Sequence, residues 1–160
     1  MIAIDEMPDH ARIWVYQADR PFSEEERVLI DRSFEAFTGQ WAAHGNKLMA
    51  TYGIQHNQFI VLAVDESYNQ ASGCSIDASV QVIRQIEQHT GLSLLDRTKV
   101  AFLEEGKVKI KPFNQLKAAV EAGEIRKETT VFNNTVQNAS EWRTQWAVPA
   151  QASWLSRYFS

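Results

Sequence analysis

Short apolar runs alternate along the chain with segments whose apolar residues recur every three or four positions. The runs ARIWVYQ (residues 11–17), NKLMATYGI (46–54) and QFIVLAVD (58–65) predict strands. QFIVLAVD is almost wholly apolar, which is typical of a central strand buried on both faces. Because only QHN separates the last two runs, they predict an antiparallel hairpin.

Two segments have the periodicity of amphipathic helices. The first is expected over about residues 24–42, where the apolar positions are Ile30, Phe34, Phe37 and Trp41. Ser23 and Glu26 predict a capping box at its start, and Gly45 predicts a C-cap at its end. The second is expected over about residues 76–90, where the apolar positions are Ile76, Val80, Ile83 and Ile86.

The stretch TKVAFLEEGKVKIKPF, residues 98–113, predicts the clearest hairpin, because apolar and polar residues alternate on both sides of the connection EEG. The alternation places Lys107, Lys109 and Lys111 on one side of a strand. Such a lysine row keeps an edge strand from pairing with another chain. The alternative is that the row meets an acidic partner.

The last third of the chain predicts a short helix from Asn114 to Gly123, a strand in ETTVFNN (128–134) and a helical end over residues 139–160. Pro149 suits the first turn of a final helix. The aromatic residues of this end either close the core or form an interface, where Trp and Tyr are enriched. They are Trp142, Trp146, Trp154, Tyr158 and Phe159.

The resulting element order, β-α-β-β-α-β-β-α-β-α, predicts an α+β fold. We expect a two-layer sandwich in which helices pack on a mostly antiparallel or mixed sheet of about five to six strands. A doubly wound parallel sheet is disfavoured because strands and helices do not alternate regularly. The length of 160 residues suits a single domain, 1–160.

Composition narrows the function classes. The net charge of −4 argues against nucleic-acid binding, which needs clustered Lys and Arg. The single cysteine, Cys74, excludes an internal disulfide and argues against a Cys-rich zinc site. No apolar run approaches the length of a membrane span, and the start MIAIDEMPDHAR has no signal-peptide pattern. We therefore expect a cytoplasmic protein without membrane contact.

The familiar motifs of catalysis and cofactor binding are missing from the sequence. GQWAAHGNK has the wrong spacing for a phosphate-binding P-loop, and no G-x-G-x-x-G, H-E-x-x-H or C-x-x-C is present. GCSID resembles a hydrolase nucleophile elbow, but Asp77 replaces the second glycine. No metal site is predicted, and no cofactor can be named.

The stretch ASGCSIDASV, residues 71–80, concentrates the candidate chemistry. If Ser75 is the N-cap of the second helix, Cys74 lies just outside that helix. A thiol at a helix N-terminus can have a lowered pKa and act as a nucleophile, with His44 or His56 as base. Cys74 and His44 are therefore candidate catalytic residues. The alternatives are a small buried Cys74 and a His44 that caps the first helix.

The same corner is a candidate binding site. Ser72 and Ser75 suit a nest of N–H groups for an anion, but the Asp77 carboxylate would repel an anion unless Arg20 or Arg97 arrives from elsewhere. We therefore expect a pocket for a small polar ligand. Its predicted residues are Arg20, His44, Asp65, Ser72, Cys74, Ser75, Asp77 and Arg97.

Asp65, Glu66 and Asp77 also have the oxygen ligands that Mg²⁺ prefers. The alternative is that the two acidic residues Asp65 and Glu66 form a solvated strand end, and on this interpretation we predict no metal.

Several segments together resemble an uncharacterised bacterial family whose members often carry the label "ABC transporter ATPase". They are WVYQADRPFSEEE, WAAHGNKL, FIVLAVDE, SGCSIDASV, TVFNN and SWLSRY, of which SGCSID is the most specific. The resemblance implies a small standalone protein and brings no established reaction. Nucleotide hydrolysis, which the label suggests, lacks its residues here, because no P-loop lysine or Walker-type acidic strand stands at the needed spacing.

Two hypotheses of function follow. In the first, the chain binds a small polar ligand near the SGCSID turn, with or without enzymatic chemistry. In the second, it is a non-catalytic interaction or structural module that uses its aromatic C-terminal helix, with a homo-oligomer as one form of such an assembly.

Overall fold

The strands form two antiparallel sheets and one small hairpin in the computed structural model, which describes residues 3–159. The first sheet contains Arg12–Gln17 (β1), Met49–Gln55 (β4) and Phe59–Asp65 (β5), in the order β1-β5-β4. The second sheet contains Lys99–Glu104 (β6), Lys107–Pro112 (β7), Thr130–Phe132 (β8) and Ala147–Pro149 (β9), in the order β7-β6-β8-β9. The hairpin pairs Ala42–Ala43 (β2) with Asn46–Lys47 (β3).

The helices occupy the segments between these strands. The α-helices are Glu24–Gln40 (α1), Gly73–Thr90 (α2), Leu116–Glu121 (α3) and Ala139–Gln145 (α4). Short 3₁₀ helices lie at Ile4–Glu6, Phe113–Gln115, Ala150–Ala152 and Trp154–Tyr158. The expected α+β class and antiparallel pairing are confirmed. The arrangement differs from the expected two-layer sandwich, because the strands are divided between separate sheets instead of forming one sheet of about five to six strands.

The division into two sheets follows from β5, whose residues 59–64 are all buried on both faces. Side chains alternate between the two faces of a strand. Ile60 and Leu62 face α1 and α2, where they pack with Ile30, Phe34 and Ile83 among others. Phe59, Val61 and Ala63 face the second sheet, where they pack with residues such as Ala101 and Phe132. The buried central strand predicted from QFIVLAVD is thus confirmed.

The second sheet is also covered on its far face. Val100, Phe102 and Val131 point away from the first sheet and pack against Leu116 of α3 and Leu155 near the C-terminus. The layers therefore run in the order helices, first sheet, second sheet, and then α3 with the C-terminal 3₁₀ helices. Each apolar sheet face obtains a partner in this way.

An aromatic cluster of Phe59, Phe132 and Trp146 joins the two sheets. The ring centres of Phe59 and Phe132 are 4.9 Å apart, and Trp146 lies 5.0 Å from Phe59 and 4.6 Å from Phe132. Trp142 of α4 stacks on Trp146 with ring centres 4.2 Å apart. Both tryptophans are buried, so these two terminal aromatics belong to the core.

Helix α1 begins as the sequence predicts and ends earlier. The capping box of Ser23 and Glu26 is present. The helix stops at Gln40 because Trp41 adopts an extended backbone, and its indole Nε1 donates to the carbonyl of Ser75 at 2.8 Å. Gly45 is therefore not a C-cap but lies with His44 at the tip of the β2–β3 hairpin, where both have positive φ.

Helix α2 begins at Gly73, three residues before the predicted start, and Ser72 rather than Ser75 is its N-cap. The Oγ of Ser72 accepts from the amide of Ser75, while the Oγ of Ser75 accepts from the amide of Ser72. Ser75 thus takes the place that Glu has in the common capping box.

The C-terminal region is less helical than predicted. Helix α4 ends at Gln145, and the next residues form β9, which pairs with β8. Burial of Trp146 in the aromatic cluster takes the chain out of the helix at this point. Asn114 lies inside a 3₁₀ helix and does not cap α3. Ser160, the last residue of the predicted helical end, lies outside the described residues.

Arg20 connects the start of α1 to the end of α2. Its guanidinium donates two hydrogen bonds of 2.8 Å to the Glu26 carboxylate and one of 3.5 Å to the carbonyl of Thr90. The hydrogen bonds from Arg20, and that from the amide of Ser23, lower the pKa of Glu26 from 4.5 to about 2. Glu26 therefore stays ionised in the folded protein at pH values where it is protonated in the unfolded chain.

We expect Glu26→Gln to reduce the free energy of unfolding by about 0.5–1 kcal/mol at pH 7, because Arg20 is exposed and water screens its attraction to Glu26. The folded pKa is below the unfolded one, so this difference is complete above about pH 5 and disappears as the pH falls toward 2. Urea unfolding at pH 7, 4 and 2.5 measures it. Glu25→Gln, in the same helical turn, is the control and should show no such loss. A Glu26→Gln difference that stays constant down to pH 2.5 contradicts the prediction.

Candidate functional site

The predicted corner at residues 72–77 uses its polar groups locally. The hydroxyls of Ser72 and Ser75 are engaged in the capping box, and the carbonyl of Ser75 accepts from the Trp41 indole. Cys74 is a free, exposed thiol rather than a buried side chain, and Asp77 is exposed on the first turns of α2. The corner is therefore a well-capped helix start.

Two other predicted residues lie near the same end of the first sheet. His44 is exposed at the tip of the β2–β3 hairpin, and no hydrogen bond joins it to Cys74 within residues 3–159. Asp65 accepts from the amide of Ser67 at 3.0 Å and lies 3.3 Å from Nε2 of His10. The Ser67 hydroxyl and amide, and then His10, lower the pKa of Asp65.

His10, Asp65 and Ser67 do not form a catalytic triad. The same imidazole nitrogen, Nε2, contacts both the Ser67 hydroxyl at 2.7 Å and the Asp65 carboxylate at 3.3 Å. A triad needs the two nitrogens to act separately, with one oriented by the carboxylate and the other taking the hydroxyl proton. The three residues instead close a local turn at the end of β5.

The two predicted arginines lie away from the corner. Arg20 contacts Thr90, the last residue of α2, whereas Ser72 precedes the first. An α-helix of this length spans about 27 Å. Arg97 follows the end of α2 and donates to the carbonyl of Val15 in β1. The eight predicted residues therefore do not form one pocket.

The separation has a topological reason. Arg20 follows the C-terminal end of β1, whereas Asp65 is the last residue of β5 and the loop to Ser72 follows it. These strands are antiparallel neighbours. The C-terminal end of β1 therefore lies beside the N-terminal end of β5, far from the C-terminal end of β5.

A different cleft forms around Arg97, where the two sheets meet. It has a volume of about 130 Å³. Among its lining residues are the cations Arg97 and Lys99, the carboxylate of Asp96, the aromatic rings of Phe113 and Trp154, and the amides of Gln17 and Asn134. We call this the Arg97 cleft. A second hollow of about 450 Å³ adjoins it, because Arg97 and Asn134 line both.

Arg97 is held in this cleft without a carboxylate partner. Its Nη1 donates to the carbonyl of Val15 at 3.3 Å, and its guanidinium carbon lies 5.7 Å from the centre of the Tyr16 ring. Burial raises the pKa of Tyr16, so the ring stays neutral below the cation. No ion pair joins Arg97 to a carboxylate in the described part of the chain.

The other charged groups of the cleft balance each other. Lys99 Nζ lies 3.8 Å from the Asp96 carboxylate. Hydrogen bonds from the hydroxyl and amide of Thr98, followed by the charge of Lys99, lower the pKa of Asp96. Asp96 is therefore ionised at neutral pH, and the charge of Arg97 remains uncompensated within the cleft.

A chain of side-chain hydrogen bonds holds the floor of the cleft. Trp146 Nε1 donates to Asn134 Oδ1 at 2.9 Å, Asn134 Nδ2 donates to Gln17 Oε1 at 2.9 Å, and Gln17 Nε2 donates to the carbonyl of Lys99 at 3.4 Å. We call this chain the amide relay. It ties the aromatic cluster to both the edge strand β1 and the second sheet.

Phe113 and Trp154 form one wall of the cleft and are unusually exposed for aromatic residues of this chain. They are 50% and 42% exposed, and their ring centres lie 5.5 Å apart. The guanidinium carbon of Arg157 lies 5.2 Å from the centre of the Trp154 ring. Phe113 and Trp154, which we call the aromatic wall, thus offer apolar surface to a ligand in the cleft.

Of the eight predicted site residues, only Arg97 lines this cleft. Gln17, Lys99, Phe113, Asn134 and Trp154 were missed. Gln17 and Asn134 are 117 positions apart in sequence, so no local pattern could pair them.

The described residues 3–159 contain neither a cluster of metal-ligating side chains nor a long apolar helix. There, no group of three or more His, Cys, Asp or Glu side chains is arranged to hold a metal ion. No helix of this region combines the length and the apolar character that crossing a membrane requires.

In comparisons with known proteins, no family model, curated protein or solved structure matches the chain.

We expect Asn134→Ala to lower the free energy of unfolding by about 1–2 kcal/mol, because Trp146 Nε1 and Gln17 Oε1 both lose their partner. Urea unfolding measures the change. Asn133→Ala is the matched control, since the side-chain oxygen Oδ1 of Asn133 accepts from the amide and hydroxyl of Thr135, two residues further along the chain. Equal losses in the two variants contradict a structural role for the amide relay.

Proposed function

We propose that this chain binds a small planar carboxylate in the Arg97 cleft. The observation that carries the proposal is a guanidinium that lines a cleft and has no ion pair with a carboxylate in the described part of the chain. Arginine has five N–H donors in a planar fork, and it binds a carboxylate through two parallel charge-assisted hydrogen bonds. Within residues 3–159, Arg97 donates one hydrogen bond, to the carbonyl of Val15.

The charges of the cleft favour a ligand with one negative charge. Arg97 and Lys99 are both cationic, and Asp96 supplies the only carboxylate among the lining residues of the cleft. One further negative charge therefore balances the site. A phosphate dianion would exceed that balance and would lie close to Asp96.

The shape of the cleft favours a single ring. Its volume of about 130 Å³ is well below the roughly 300–1,000 Å³ typical of pockets for drug-sized ligands. Phe113 and Trp154 offer ring faces and edges to an aromatic ligand, and such contacts add about 0.5–1.5 kcal/mol. Asn134 has two amide N–H donors, of which the amide relay uses one.

This proposal keeps the expected ligand class, a small polar molecule, but places it in the Arg97 cleft instead of near the SGCSID turn. A catalytic role for Cys74 and His44 stays a prediction, and no reaction is part of this proposal. We place the binding in the cytoplasm, and the exposed, unpaired thiol of Cys74 supports this location because reducing compartments preserve free thiols.

Titration of the ¹⁵N-labelled protein with benzoate tests the proposal. We expect saturable shifts of the Trp154 indole and the Asn134 amide signals, with a dissociation constant on the order of 1 mM, or about −4 kcal/mol. Benzamide, which has the same shape without the charge, should bind at least about tenfold more weakly, because it cannot form the charge-assisted pair.

Arg97→Gln should weaken benzoate binding by at least about tenfold, since hydrogen bonds to charged groups contribute about 1.5–3 kcal/mol. Arg84→Gln removes the same charge from an exposed position on α2 and should leave binding unchanged. Thermal unfolding of both variants checks that they fold. Benzoate that shifts neither signal, or that binds Arg97→Gln as well as the unaltered protein, refutes the proposal.

A further inference from the structure

Strand β7 forms an outer edge of the second sheet and has an unused hydrogen-bonding side. It is joined to β6 by a two-residue turn, Glu105 and Gly106, both with positive φ. In such a hairpin the residues that flank the turn form a hydrogen-bonded pair, and hydrogen-bonded pairs then alternate along the ladder. The backbones of Lys107, Lys109 and Lys111 therefore bond to β6.

The backbone N–H and C=O groups of Val108 and Ile110 consequently point outward. No backbone hydrogen bond reaches them within the described part of the chain. Pro112, the next outward position, has no N–H and ends the donor row. The edge thus offers two donors and two acceptors to an incoming strand.

A groove borders the part of this edge that lies next to the β6–β7 turn. It has a volume of about 610 Å³, and besides residues 106–109 its walls are Pro21, His56 and Gln58. Gln58 is 2% exposed, and its Nε2 donates to the carbonyl of Ala18 at 3.0 Å. Its Oε1 has no hydrogen-bond donor among the described residues. A buried acceptor without a donor is costly, so a groove that borders one favours an occupant with N–H groups.

The charge beside the edge is positive. Lys107, Lys109 and Lys111 project from one face of β7, opposite to the face on which Val108 and Ile110 pack. Lys111 pairs with Glu124 at 2.9 Å, whereas neither Lys107 nor Lys109 has an ion-pair partner within residues 3–159. A strand laid beside β7 would place alternate side chains next to these two lysines.

We propose that β7 accepts an extended acidic segment of a partner protein as an added strand. The backbone groups of Val108 and Ile110 bind the segment, and Lys107 and Lys109 select for alternate Glu or Asp side chains. A second copy of this chain does not fit, because two β7 edges would bring lysine rows together. The lysines thus oppose self-association and admit a partner of opposite charge.

The probe is the peptide acetyl-Thr-Glu-Val-Glu-Val-Glu-Thr-amide, titrated into the ¹⁵N-labelled full chain. We expect saturable shifts and slower hydrogen exchange at the Val108 and Ile110 amides. The matching peptide with Lys in place of Glu should bind at least about tenfold more weakly. Saturable peptide binding without slower exchange at these two amides overturns the proposal, as does the absence of any saturable shift.

Charge reversal tests the selection. Lys107→Glu with Lys109→Glu should weaken binding of the acidic peptide at least about tenfold and favour the lysine peptide instead. The neutral variant, Lys107→Gln with Lys109→Gln, should bind the acidic peptide with an intermediate affinity. It replaces the charge-reversed variant in this test if that variant does not fold. The control is Lys117→Glu with Lys127→Glu, which changes the net charge equally at two other exposed positions. Equal effects of the two Glu pairs overturn the proposal.

Discussion

Burial of β5 on both faces is the constraint from which the rest of the structure follows. Residues 59–64 are 0% exposed, so this strand has two apolar faces, each of which needs a cover. Full burial of a large apolar side chain stabilises the folded state by about 1.5–3 kcal/mol. Helices α1 and α2 cover one face and the second sheet covers the other. The molecule therefore consists of two sheets face to face, with helical cover on both outer sides.

The Arg97 cleft is a product of this packing. Polar groups of the second sheet lie next to the edge strand β1. Each polar group that is buried there needs a hydrogen-bond partner. The amide relay supplies those partners for Gln17, Asn134 and Trp146. It also gives the cleft a fixed floor, and a site held by locked side chains binds with less loss of conformational entropy. The aromatic wall is exposed, and so are Asp96 and Arg97 at the same cleft.

Periodicity predicted the parts of the fold that depend on neighbouring residues. The buried β5, the capping box of α1 and the β6–β7 hairpin with its lysine row are all present. The start of α2 was misplaced because Ser72 and Ser75 are both competent N-caps, and only the structure distinguishes them. Helix α4 was predicted too long because the burial of Trp146 depends on Phe59 and Phe132, which are distant in sequence.

The site was harder to predict than the fold, for a related reason. The corner at residues 72–77 has the residue types of a binding site, yet its hydroxyls serve the helix start. Arg20 was expected at this corner. Because β1 pairs antiparallel with β5, Arg20 instead lies at the other end of these strands. The residues that line the Arg97 cleft come from strands β1, β6 and β8, from the loops after α2 and β8, and from the 3₁₀ helices that contain Phe113 and Trp154. Their proximity depends on the packing of two sheets, for which the sequence contains no local pattern.

Native-state hydrogen exchange tests most directly whether the two sheets form one cooperative unit. The amides to compare are Val61 in the centre of the first sheet and Phe102 in the centre of the second. If burial of β5 between its two covers holds the molecule together, both amides exchange only through global unfolding, with the same free energy and the same dependence on denaturant. Exchange of Phe102 through a separate opening, with a smaller free energy than that of Val61, would contradict this account.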